Sequence, residues 1–393
     1  MKLRPLVLIA VLLSSLLAAL PSPAQPSDPT SPTAPSSQAD LALRLLRKMP
    51  VDQNGSLSPV SLQTAFAMVA AGAAPAAREE LVQGLLLSPD VSEGTRALLE
   101  TLSKDGAEVL IANRLWPANG TKLLPDYLKR CESAFGAKPQ PLNYGKVEEA
   151  RRTINAWVGE KTKEKIPELI PPGLLDASTS LVLTNALYFR GSWKTPFPPE
   201  RTEPTEFRGL EETIEVSMMA RTGGMPYYAN ETFQAVSLDY AESNMSMTLI
   251  LPTREQSWVD FRQNVLNATA LREALGNPDE QTVSLSLPRF QVRGNLPVIP
   301  AITRLGVRQI FEAGSLTGIS REPMQVSDAV HQAVVEVEES GTVAAAATAI
   351  IATRSAAIPR NIVTFDRPFL FVLHDNTSGA ILFIGQVVAP TKA

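Results

Sequence analysis

Cysteine and histidine are almost absent from this chain: its 393 residues hold Cys131 alone and only two histidines, His331 and His374. One thiol forms no internal disulfide, so stability has to come from core packing. Two histidines also leave little material for hydrolysis. Neither Gly-x-Ser-x-Gly nor His-Glu-x-x-His occurs, there is no glycine-rich phosphate loop, and no close His/Cys/carboxylate cluster suggests a metal site. A hydrolytic triad would have to use one of the two imidazoles. His331 opens the alternating run HQAVVEVEE and reads as a satisfied core histidine, while His374 stands beside Asp375-Asn376-Thr377-Ser378-Gly379, a turn. The expectation is no enzyme, no cofactor and no metal.

A basic surplus is missing too. With 36 Lys+Arg against 40 Asp+Glu the formal charge is −4, which argues against nucleic acid or another polyanion as the main partner. Lys161, Lys163 and Lys165 alternate in EKTKEK with glutamates between them, a solvated helix face. No apolar run is long enough for a membrane span: Leu6 to Leu20 gives fifteen residues, short of the ~20 that cross a bilayer. Behind Lys2 and Arg4, and ahead of Ser22-Pro23-Ala24, that run reads as a signal peptide over residues 1–24. Cleavage would leave 34 cations against 40 anions, a net −6, in a secreted or periplasmic protein with no membrane in its mature form.

Residues 25–38 (QPSDPTSPTAPSSQ) are a Pro/Ser-rich tether unable to form a core, and 39–393 form the folded domain. At 44% apolar and 19% charged the composition is that of an ordinary globular protein with a large core. Leucines at helical spacing predict a helix over 39–48, a second follows Ser58 and Pro59 to Ala73, and a third covers 149–163. The second half turns to short apolar or alternating strands at 181–189, 235–238, 245–251, 283–287, 332–337, 369–373 and 380–384. Helices first and strands later, without strict alternation, predict an α+β protein with antiparallel or mixed sheets.

The most telling stretch is EESGTVAAAAT (Glu338 to Thr348), then AIIATRSAAIPR. From Ser340 to Thr353 there is no charge, proline or bulky aromatic. Such a segment can lie in water or become a buried strand without taking an ion out of solvent. If Thr342 faces inward, so do Ala344, Ala346, Thr348, Ile350 and Ala352, all small or apolar. Fourteen residues of added strand at ~3.3 Å each would carry one end about 45 Å. The run ends at Arg354-Ser355, a bond of the kind that trypsin-like proteases cut.

This combination resembles the reactive-centre loop of the serpins. NGSLSPVSLQTAFAMVAAGA (54–73) and VLTNALYFRGSWKTPF (182–197) are similar to two of the family's signatures, and SLPRFQV, LGVRQIF, VSDAVHQAVVEVEESGT and DRPFLFVL with ILFIGQVVAP follow in its order. The resemblance implies helices packed around three mostly antiparallel or mixed sheets, with an exposed reactive-centre loop at about 339–360. It implies a hinge of Glu339, Gly341, Thr342, Ala344, Ala346 and Thr348, and a sheet-opening latch of Ser58, Ser61, Asn185 and His331. The implied function is suicide inhibition of serine endopeptidases by a monomer, with a non-inhibitory carrier or chaperone as the alternative. The reactive bond stays open between Arg354-Ser355, favoured by the charge of arginine in a trypsin-like pocket, and Ser355-Ala356, given by seventeen residues counted from Glu339. The second would suit an elastase-like target, and a subtilisin-like one is a further possibility.

Overall fold

The computed structural model describes residues 35–103, 107–276, 278–294, 296–342 and 361–390, all within one compact unit that runs from Pro32. The expected leader at 1–24, residues 25–34 of the expected tether, and residues 343–360 with Ala344, Ala346, Thr348, Arg354, Ser355 and Ala356 lie outside the described residues.

The first half is mostly helical. Helix α1 (Pro35–Leu46) starts four residues before the leucine pattern suggested, so the tether ends sooner. Proline is tolerated in a first turn, and the buried Gln38 amide donates to Gln63 Oε1 at 2.9 Å. Strand β1 (Gly55–Leu57) leads into α2 (Pro59–Ala70), where Ser58 accepts the Ser61 N–H as a cap, Pro59 opens the helix and all twelve residues are buried. Then come α3 (Pro75–Gly84), α4 (Val91–Ser103), strand β2 (Glu108–Pro117), α5 (Pro125–Phe135) and α6 (Val147–Lys161). Helix α6 stops before Lys163 because Lys163 and Glu164 take positive φ of 51° and 60°. Lys163 and Lys165, expected on a solvated helix face, instead pair with Glu108 and Glu336.

The second half supplies most of the strands: β3 (Leu181–Ser192), β4 (Glu203–Arg208), β5 (Thr213–Ala229), β6 (Phe233–Asp239) and β7 (Met245–Pro252). Helices α7 (Trp258–Asp260) and α8 (Ala268–Leu275), strands β8 (Glu280–Pro288) and β9 (Phe290–Arg293) and helix α9 (Val298–Thr303) follow. The chain closes with β10 (Asp328–Glu338), β11 (Gly341–Thr342), β12 (Asn361–Thr364), β13 (Phe369–Asp375) and β14 (Ile381–Val387).

Among the described residues five strands form one sheet in the order β2-β3-β11-β10-β9, and nine form a second system, β1-β14-β13-β7-β6-β5-β8-β12 with β4 on β5. The seventeen-residue β5 carries this system round a corner: its first part pairs with β4 and β8, its last three residues with β6. Two of the three expected sheets are thereby continuous through one strand. Helix α2 lies behind the five-stranded sheet, and α6 packs over β2 on its other face, where Ile154 and Val158 belong to one hydrophobic cluster with Val182, Ala186 and Val334.

His374 stands near the end of β13, just before the expected turn, and is buried with Nε2 2.8 Å from Thr248 Oγ1. Cys131 is wholly buried, and burial pushes its thiol up to about 11.

Candidate functional site

Strands β3 and β10 run parallel, in register from Val182↔Asp328 to Tyr188↔Val334. Beyond that level both continue, but they no longer pair with each other. The two residues of β11 lie between them, antiparallel to both: Thr342 opposite Val337 and Gly191, Gly341 opposite Glu338 and Ser192. The beginning of the hinge is therefore already a short strand of the main sheet. Only glycine fits at 341, where φ is +153° and a Cβ would meet Gly191 O at 2.1 Å.

Thr342 is completely buried, as the inward alternation required, and its hydroxyl is 2.6 Å from the Tyr240 hydroxyl. Tyr240 stacks on Trp193 at 4.6 Å and meets Phe189 edge-on at 4.8 Å. Trp193 in turn holds the turn above: its indole N–H donates to Glu338 O at 3.0 Å and its backbone N–H to Ser340 O at 3.0 Å. Glu339 is 7% exposed and receives Arg289 through Nε at 2.9 Å and Nη2 at 2.6 Å, with the Thr202 hydroxyl at 2.6 Å. Burial pushes the Glu339 carboxyl up, but hydrogen bonds from Arg289 and Thr202 outweigh it and hold it below the ordinary glutamate value.

Halfway down the pair a second polar cluster crosses the sheet. Asn113, Asn185 and His331 stand level on β2, β3 and β10. The Ser58 N–H donates to His331 Nε2 at 3.0 Å, and His331 Nδ1 touches Asn185 Oδ1. One imidazole nitrogen accepts and the other donates, so the ring is neutral. Burial alone lowers its basicity to about 3. The Asn185 amide donates to Ser61 Oγ at 2.5 Å and Ser61 O at 3.0 Å and contacts Asn113 Oδ1, while Asn113 donates to Thr64 Oγ1 at 2.7 Å. This sheet row and the first turn of α2 bring Ser58, Ser61, Asn185 and His331 together.

Sequence reasoning missed Asn113, Thr64, Tyr240, Trp193, Arg289 and Thr202. Only Asn113 left a trace, a lone amide in the apolar run EVLIANRLWP, and β2 itself went unread. The other five lie far along the chain from Thr342 and Glu339, and nothing local marks them.

The geometry defines a protein whose main sheet accepts the root of its own loop between two parallel strands. A family model described as Serpin (serine protease inhibitor) matches residues 36–390. The chain belongs to the serpin family, a family of serine protease inhibitors. Mouse alpha-1-antitrypsin 1-4 is 33% identical over 370 residues, covering 90% of this chain and 88% of the mouse protein. Bovine leukocyte elastase inhibitor is 33% identical over 365 residues, covering 89% and 97% respectively. The structure of human thyroxine-binding globulin superposes with a TM-score of 0.83 at 25% identity, covering 92% of this chain and 99% of that one.

Proposed function

We propose that this chain is an exported suicide inhibitor of serine endopeptidases of trypsin-like specificity, acting as a monomer. The target's serine attacks the loop, and the freed loop enters the main sheet between β3 and β10. That movement drags the acyl-enzyme away, and distortion dismantles its oxyanion hole before deacylation. The observation that carries the reading is the pairing of Gly341 and Thr342 with both strands at once.

Continuing that register is simple arithmetic. Ala344 would come level with Phe189 and Val335, Ala346 with Leu187 and Ala333, and Thr348 with Asn185 and His331. A hydroxyl would thus arrive where the advancing strand separates those two side chains, able to satisfy one of them. Residue 352 would reach Leu181, where β3 begins, and Arg354 would lie just past the sheet. Export rests on the leader at 1–24, and specificity on the single cation of the loop.

The test is incubation with trypsin, an elastase and a subtilisin. The expected outcome is a trypsin complex that survives denaturing electrophoresis, with release of a peptide beginning at Ser355. A peptide beginning at Ala356, with inhibition unchanged in Arg354→Ala, would move the bond by one residue. No stable complex with any of the three would overturn the reading. The likeness to thyroxine-binding globulin supports the rival, a carrier on the same fold. Cutting the loop between Ile350 and Ser355 should raise the unfolding temperature of an inhibitor, since strand hydrogen bonds and apolar burial are gained. An unchanged or lower midpoint would favour the carrier.

A further inference from the structure

An open-mouthed cleft lies between the end of α2, α3, the start of α4 and α5. Its volume is about 480 Å³, and Arg78, Asp90 and Arg130 stand in its lining among short side chains such as Ala70 and Ala73. That volume lies within the range of small-molecule sites, about 300 to 1,000 Å³. Unlike most such sites its lining is more polar than apolar, so charge rather than apolar burial has to decide what it holds.

The two arginines come from different helices, and each is pinned by one bond to the main chain. Arg78, half-buried on α3, donates through Nη2 to Pro89 O at 2.6 Å, and Arg130, exposed on α5, donates through Nη1 to Ala71 O at 2.7 Å. Pro89 and Ala71 also line the cleft. A guanidinium carries five N–H donors, so each keeps most of its fork for another acceptor. Among the described residues neither is paired with a carboxylate. Asp90, the carboxylate of the wall, is turned to α4 instead: its Oδ1 accepts the Ser92 N–H at 3.1 Å and the Glu93 N–H at 3.0 Å. Its second oxygen takes no bond from the described residues. Two restrained cations without counter-ions, with one acceptor-only group beside them, form a lining that asks for an anion carrying a hydroxyl.

We propose that this cleft binds a small hydroxylated phosphate monoester, of the sugar phosphate class. The phosphate oxygens accept from the Arg78 and Arg130 forks, a geometry that guanidinium matches with paired hydrogen bonds. A ligand hydroxyl donates to Asp90 Oδ2. With two cations against one anion in the wall, a bound dianion leaves the site with a net charge of −1, and the hydroxyl contact offsets the presence of Asp90. The site uses no residue of the loop or the main sheet, and binding is read on the uncut chain without protease, so its failure is distinguishable from failure of the inhibitor reading.

Calorimetric titration of the full chain at low ionic strength with glucose 6-phosphate tests the site, with glucose and inorganic phosphate as the two halves of the ligand. Glucose 6-phosphate should saturate one site, inorganic phosphate should bind about tenfold more weakly for want of the hydroxyl, and glucose should not bind. Arg78→Met and Arg130→Met should each weaken the ester about tenfold or more, the worth of hydrogen bonds to a charged group. Asp90→Ala should erase the preference for the ester over inorganic phosphate. Absence of saturable binding, equal affinity for inorganic phosphate in the unaltered chain, glucose binding as tight as its phosphate, or affinity undiminished in both arginine variants would overturn the proposal. If Arg130→Met does not fold, Arg78→Met and the three ligands on the unaltered chain still decide it.

Discussion

At the middle of the main sheet β3 and β10 meet through Asn185 and His331, neutral side chains that satisfy each other and the first turn of α2. At the upper end the same strands part around Gly341 and Thr342, and a charged pair, Glu339 with Arg289, holds the turn above. The middle is closed and buried, and every bond there must be exchanged before another strand can pass. The top is already open and partly filled. A sheet arranged this way has its entry prepared and its barrier placed lower down, so substitutions at the two levels should differ in kind.

Thr342→Arg should have the largest effect. Thr342 is fully buried over Tyr240, so the new cation either leaves the sheet with the hinge or stays at a cost of several kcal/mol. Acylation by a protease should proceed at a near-normal rate while insertion fails, turning inhibitor into substrate. One-to-one trapping by this variant would show that entry does not begin between the upper ends.

Asn185→Ala attacks the middle. It strands the donating nitrogen of His331 and takes away the amide that serves Ser61 and Asn113, and about 3 kcal/mol of unfolding free energy should be lost in urea titration. Tryptophan fluorescence from Trp193, eight residues further along the chain, should change little. A large fluorescence change would mean that the two levels act as one unit.

Acid should act on the middle as well. The unfolded His331 binds its proton near 6.5 and the folded one only near 3. Between those values the unfolded chain carries the extra proton, so stability is full above pH 6.5 and falls as pH drops toward 3, by up to about 1.4 kcal/mol per unit. His374, lowered to about 4 by burial, adds to the slope in the same direction. Urea midpoints from pH 7 to 4 should show this decline, and His374→Gln should remove only its own share. A flat profile would mean that His331 is not buried in neutral form.

Glu339→Gln should be the mildest. It loosens the turn at the top, but Arg289 is 40% exposed at its side chain, so solvent screening holds the loss to about 1 kcal/mol. The visible sign should be a shift in Trp193 emission, since its indole bonds to the neighbouring carbonyl of residue 338. A loss as large as that of Asn185→Ala would break the distinction between top and middle.

Much of the architecture was legible because it is periodic. Leucine spacing marked α1, Ser58-Pro59 marked the start of α2, and apolar alternation marked β3, β7, β10 and β13. The strand β5 escaped, since TIEVSMMARTGGMPYYA has two glycines and a proline and turns between two sheets. His374 was read beside its turn, but its partner Thr248, far along the chain, left no local mark. The uncharged run from Ser340 to Thr353 declared by composition alone that it can be buried as a strand. Which strands it would enter, and how far it has entered, belongs to tertiary structure: the seat of Thr342 is made by Tyr240, Trp193 and Gly191, and the seat of Glu339 by Arg289 and Thr202. Periodicity records which face of an element is apolar, and it carries no information about which distant polar group will meet a given one once those faces are packed.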